Sequence, residues 1–117
     1  MILLIDTDIL LRAALFPEGE AYAALKKALA APFRPHVREA VLEELRCLLA
    51  ELCPEAAEEA EAFLAALTET VTVLPEPEEA PDSPILDDSV NLFLTGDKAL
   101  LAANDPRILD AGEFLTF

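Results

Sequence analysis

At 117 residues, 54% hydrophobic and 26% charged, the chain has the size and composition of one globular domain over 1–117, too short for a second substrate domain. A formal net charge of −15 argues against a general nucleic-acid coat, because phosphate binding is driven by Lys and Arg displacing counterions. The start MILLIDTDILL lacks the basic lead of a secretory signal and carries Asp6 and Asp8, and no apolar run reaches membrane-spanning length, so the expectation is a soluble, cytoplasmic protein with no membrane partner.

In chain order, the apolar run at 2–5 predicts a strand covered on both faces. Asp6, Thr7 and Asp8 form a capping-rich trio before a helix over 9–15 that stops near Pro17. A second helix over 18–31 is ended by Pro32. A brief strand follows over 33–37, with Pro35 telling against a long one. The strongest helical pattern covers 38–52, and Pro54 suits the first turn of another helix reaching about Thr68. A β-branched strand is predicted over 71–74 and an extended surface connection over 75–81, which is rich in Pro and Glu. The remaining predictions are a short helix over 82–90, a strand over 92–95, a helix over 98–103 and a last strand over 107–109. Alternating short strands and helices imply an α/β fold, a parallel sheet between helices.

The basic residues are uneven. Six of the eight (Arg12, Lys26, Lys27, Arg34, Arg38 and Arg46) precede residue 47, so a polyanion would be held by the first half or not at all. Cys47 and Cys53 fall on one predicted helical stretch roughly 120° apart by rotation, which prevents a bridge there and matches no metal motif. The absence of Gln and the wealth of Glu, Leu, Ala and Pro are similar to thermophile compositions.

In a parallel sheet, ligands sit beyond the carboxyl ends of the strands. Asp6 directly follows the first strand, and Asp97 follows a later one in the same way, although Asp97 also suits a local role as cap of the next helix. On the long helix, Val37, Val41, Leu45, Leu48 and Leu52 define an apolar stripe that encloses Glu44, while Glu43 points to solvent. A carboxylate there is costly unless it reaches the boundary, pairs with a cation side chain or binds an ion. Asp82, before Ser83 and Pro84, reads by itself as a helix cap.

These four acids, in the contexts LLIDTDILL, VLEELRCLL, DSPIL and FLTGDKALL, followed by RILDAGEFL as a closing strand and turn, resemble the PIN-domain family of metal-dependent ribonucleases. The resemblance spans residues 2 to 115. It implies a PIN-like three-layer sandwich with a central parallel sheet of about five strands flanked by helices. It implies Asp6, Glu44, Asp82 and Asp97 as catalytic metal ligands, Mg²⁺ or Mn²⁺ as cofactor, and RNA as substrate. Asp8 and Thr95 stand beside them as further candidates. Many small members of that family are toxins of toxin-antitoxin pairs and form homodimers, so an antitoxin partner and a dimer belong to the expectation.

Hard divalent ions take oxygen ligands, and convergent carboxylates can hold them beside a phosphate, so the chemistry needs neither the lone His36 nor a nucleophilic Ser or Cys. Two departures stand out. Asp8 occupies a position where the family commonly has Asn, and the segment between Asp82 and Asp97 is about four residues, roughly one helical turn, shorter than usual. Two alternatives remain. One is a PIN-like binding or assembly module with weak or no catalysis. The other rests on IDTDIL and Gly96-Asp97, which resemble motifs of haloacid-dehalogenase-like phosphatases; it lacks the expected lysine and leaves Glu44 unused.

Overall fold

Ile2–Ile5 forms β1, whose side chains alternate between two apolar layers, as a strand buried on both faces requires. The structure is a computed structural model that describes residues 1–75, 90–103 and 105–117. After β1 come α1 (Thr7–Leu15), α2 (Glu20–Ala28), β2 (Arg34–Arg38), α3 (Glu39–Leu52), a 3-10 turn at Pro54–Ala56, and α4 (Ala57–Thr70). Then follow β3 (Thr72–Leu74), β4 (Leu92–Leu94), α5 (Lys98–Leu101), β5 (Ile108–Leu109) and α6 (Ala111–Leu115).

The five strands form one sheet in the order β3-β2-β1-β4-β5, and every described pairing is parallel. Leu3, Ile5, Leu92 and Leu94 face the larger core, with Ile9, Leu10 and Ala13 of α1, Leu25 of α2, Leu45 and Leu49 of α3, Leu64 and Leu67 of α4, and Phe114 of α6. Leu4 and Phe93 face the other side, packed with Val90 and Ile108 and covered in part by Leu100 and Leu101. The expected three-layer α/β architecture is therefore the observed one.

Pro35 lies inside β2, and β2 lies between β1 and β3, a position the sequence pattern disfavours. The register explains it. Arg34 N donates to Met1 O, so the next residue's nitrogen faces away from β1, toward the side where β3 is not yet paired; that ladder starts at His36. No ladder donor is lost.

Two expectations need correction. The end of the chain is not strand and turn alone, because Ala111–Leu115 is helical, closed by a reciprocal pair in which Asp110 accepts from Glu113 N and Glu113 accepts from Asp110 N. The apolar stripe of α3 is also rotated from the expected one: Leu45 and Leu49 are buried and Val41 and Leu42 pack beside them, whereas Leu52 is 55% exposed. Val37, used to set the phase, belongs to β2 and does not share the helical period. Glu44 is therefore an exposed residue on the flank, not a core-facing one. Cys47 is exposed and Cys53 partly buried, both as free thiols. The predicted helix over 82–90 lies outside the described residues.

Candidate metal centre at the carboxyl end of the sheet

From β1 the chain builds β2 and β3 on one side, then crosses to β4 and β5 on the other. The strand order thus reverses between β1 and β4, where a crevice opens beyond the carboxyl ends. A cavity of about 280 Å³ sits there, lined by Asp6, Thr7, Asp8, Glu44, Gly96 and Asp97.

Asp6 extends β1 by one residue, its N–H donating to Leu94 O at 3.0 Å, and it caps α1. Its Oδ1 accepts from Thr7 N at 2.8 Å and its Oδ2 from Thr95 Oγ1 at 2.8 Å. Thr95, fully buried just after β4, also accepts from Asp97 N at 3.1 Å. One hydroxyl therefore ties the two strand ends and their acids together. Asp97 caps α5 through Ala99 N at 2.9 Å, so the local role expected of it is real and coexists with its place in the cavity wall.

Glu44 reaches the crevice from α3, where its Oε2 accepts from Thr7 Oγ1 at 3.1 Å. The buried Thr7 is the residue that sequence reasoning passed over. Its position directly after Asp6 was visible, but its link to Glu44 depends on α1 and α3 packing together. Asp8 presents Oδ2 to Arg12 Nη2 at 3.9 Å, while its Oδ1 is buried and, among the described residues, without a hydrogen-bond partner. A Cβ on Gly96 would stand 2.0 Å from Asp8 Oδ2, so only glycine leaves that carboxylate its place.

Of the sequence-derived candidates, Asp6, Asp8, Glu44 and Asp97 thus share one cavity, Thr95 braces it from behind, and Asp82 lies outside the described residues. His36 takes no part: its Nδ1 hydrogen-bonds to Arg34 O at 2.8 Å. The donor set is one of hard carboxylate oxygens, and the orphaned Asp8 Oδ1 is the kind of buried acceptor that a cation satisfies. In that chemical sense the residues fit Mg²⁺ or Mn²⁺. Yet among the described residues no three His, Cys, Asp or Glu side chains form a group that could hold a metal ion, so the acids line a wall rather than converge on a point.

No protein-family model matches the sequence, and no curated protein matches it in sequence comparison. Solved structures do match in fold. A chain in the crystal structure of VapBC2 from Rickettsia felis, bound to a DNA fragment from their promoter, superposes with a TM-score of 0.67 at 11% identity, covering 94% of this chain and 98% of that one. The sarcin-ricin-loop-cleaving toxin VapC20 of Mycobacterium tuberculosis matches at 20% identity and a TM-score of 0.49, over 65% of this chain and 58% of that one. At such low identity the first likeness speaks for architecture alone, and by its architecture the chain has the PIN-like fold.

Proposed function

We propose that the chain is a PIN-like endoribonuclease that hydrolyses RNA phosphodiesters with Mg²⁺ or Mn²⁺ held by Asp6, Glu44 and Asp97, with Asp82 joining them and Asp8 adding an oxygen. The observation that carries the reading is the crevice at the reversal of strand order, walled by four carboxylates, one of which keeps a buried oxygen without a partner. An ion held by these oxygens supplies positive charge at the scissile phosphate and a more acidic water. Thr95 fixes the orientation of Asp6, and Thr7 holds Glu44 toward the crevice. The capping bonds of Asp6 and Asp97 restrain both side chains at helix starts, where the helix dipole favours negative charge.

VapBC2 of Rickettsia felis was crystallised on promoter DNA, and by analogy this chain would be the toxin of a pair, held by an antitoxin protein and forming a homodimer. The second reading, a catalytically weak binding or assembly module, is favoured by the spread of the described acids around the cavity wall. Incubation of the pure protein with single-stranded RNA and Mn²⁺ decides between them. Cleavage should occur, stop with chelator, and fall by at least about 100-fold in Asp6→Asn, since even an ångström of misplacement in a reacting site costs about that factor. Intact RNA with both Mg²⁺ and Mn²⁺ would leave the binding module standing.

A further inference from the structure

Four carboxylates in one wall, on a chain of net charge −15, repel the phosphates that flank the scissile one in the proposed substrate, and a basic side chain at the rim would offset that repulsion. Four of the eight basic side chains are engaged elsewhere. Lys27 donates to the carbonyl oxygens of Phe114, Leu115 and Phe117, Lys26 lies against the Tyr22 ring, Arg46 pairs with Glu61, and Arg107 clasps Asp105. Arg34 opens β2 at the opposite, amino end of the sheet.

Arg12 differs from all of these. It lies one turn along α1 from Asp8, with its side chain half exposed, and its Nη2 is 3.0 Å from the place a Cβ would take on Gly96. Both Asp8 and Gly96 belong to the cavity wall. The contact with Asp8 spans 3.9 Å, beyond hydrogen-bond length, and exposed pairs of that kind hold weakly. Among the described residues the guanidinium therefore rests beside the cavity wall with its forked donors little used, and a phosphate offers two oxygens that match the fork.

We propose that Arg12 is the phosphate-receiving residue of this site, giving up its long contact with Asp8 for paired hydrogen bonds to the RNA backbone beside the acidic crevice. The inference rests on the ribonuclease reading and adds to it the residue that overcomes the chain's own charge.

The test is binding of a single-stranded RNA oligonucleotide, with Ca²⁺ in place of Mg²⁺ to limit turnover, measured across a salt series. Arg12→Gln should bind about tenfold more weakly, with the slope of log K against log salt reduced by about 0.7, as for one lost phosphate contact on a single strand. Arg12→Lys, which keeps the charge and loses the fork, should retain the slope and part of the affinity. Arg46→Gln removes the same charge away from the crevice and should leave the slope unchanged. Thermal melts establish that each variant is folded. If wild type binds RNA and Arg12→Gln keeps both affinity and slope, or the loss appears in Lys98→Gln instead, the assignment to Arg12 is overturned while the nuclease reading stands. If wild type binds no RNA at all, the reading beneath it falls as well.

Discussion

The two ends of the sheet each carry a cavity, and their walls are chemically opposite. At the amino end, a cavity of about 420 Å³ is bordered by Met1, Pro32, Arg34 and Asn91, and hydrogen bonds tie its backbone groups to one another and to the Asn91 amide oxygen. Met1 N donates to Pro32 O, Arg34 N to Met1 O, Ile2 N to Asn91 Oδ1 and Asn91 N to Ile2 O. At the carboxyl end the cavity is smaller, about 280 Å³, and acceptors exceed donors: the contacts described above reach both oxygens of Asp6 but only one each of Glu44 and Asp97. Asp8 Oδ1 is left over. Size would select the wrong end; unsatisfied chemistry selects the other. The cause lies in the topology, because a parallel sheet sends each strand into a helix start at its carboxyl end, where orphan N–H groups and the helix dipole favour acids.

The largest effect expected from this contrast is the response to a divalent ion. A ligand present at 100-fold its Kd stabilises the folded state by about 2.7 kcal/mol, which for a chain of this size raises Tm by on the order of 10 °C. Mn²⁺ should produce such a shift in wild type. Glu44→Gln should diminish it without unfolding the chain, since glutamine can still accept from Thr7 Oγ1. Glu43→Gln, exposed and outside the cavity wall, should respond as wild type does. Equal loss in both variants, or no shift in wild type freed of metal beforehand, would remove the distinction between the two ends.

A smaller effect is expected at Gly96. Alanine there places Cβ 2.0 Å from Asp8 Oδ2 and 3.0 Å from Arg12 Nη2, so the Asp8 carboxylate and the guanidinium must both swing outward. Neither side chain is enclosed and the backbone does not need a positive φ, so the cost in stability should be only about 1 kcal/mol, a few degrees in Tm. The ion-dependent shift should weaken by more than that. Gly112, inside α6, is the control: its Cβ would meet Glu20 Oε2 at an ordinary 3.4 Å, and alanine there should stabilise by a few tenths of a kcal/mol through helix propensity. If Gly96→Ala leaves the ion response intact, the placement of Asp8 against that glycine has no bearing on the ion.

Most elements were legible in the sequence to within a few residues because β1, β4 and β5 are short apolar runs and the helices between them carry their own apolar period, and the capping roles of Asp6 and Asp97 follow from position alone. Helix α6 was legible in principle, since Asp110 and Glu113 stand at capping-box spacing, but a five-residue helix offers too little periodicity to draw attention to it. Glu44 illustrates the other limit. Its presence in the cavity wall does not come from a buried stripe, as the period suggested, but from the flank of α3 turned toward Thr7, a matter of how two helices pack. Periodicity reports which face of a helix meets the core; it does not report what the edge of that face meets.

The smallest effect belongs to the amino end and tests whether its acids are as settled as the contacts imply. Asp105 lies ahead of β5 and is clasped by Arg107, whose Nη2 donates to Oδ2 at 2.8 Å and whose Nε and backbone N donate to Oδ1 at 3.1 and 2.9 Å. These bonds, the side-chain one first and the backbone one next, hold its carboxyl below the ordinary value of 3.8. A depressed folded-state pKa means that the contribution is fully present above about pH 4 and is lost as pH falls through the lower folded value. Asp105→Asn should therefore lower Tm slightly and by a constant amount near neutrality, and flatten its decline on the acid side below about pH 4, where wild type loses the same contribution. Mn²⁺ should not alter that difference, because this carboxylate already has its cation in Arg107. A Mn²⁺-dependent change in the Asp105→Asn acid limb would mean that the amino end also takes ions, and the contrast between the two ends would not hold.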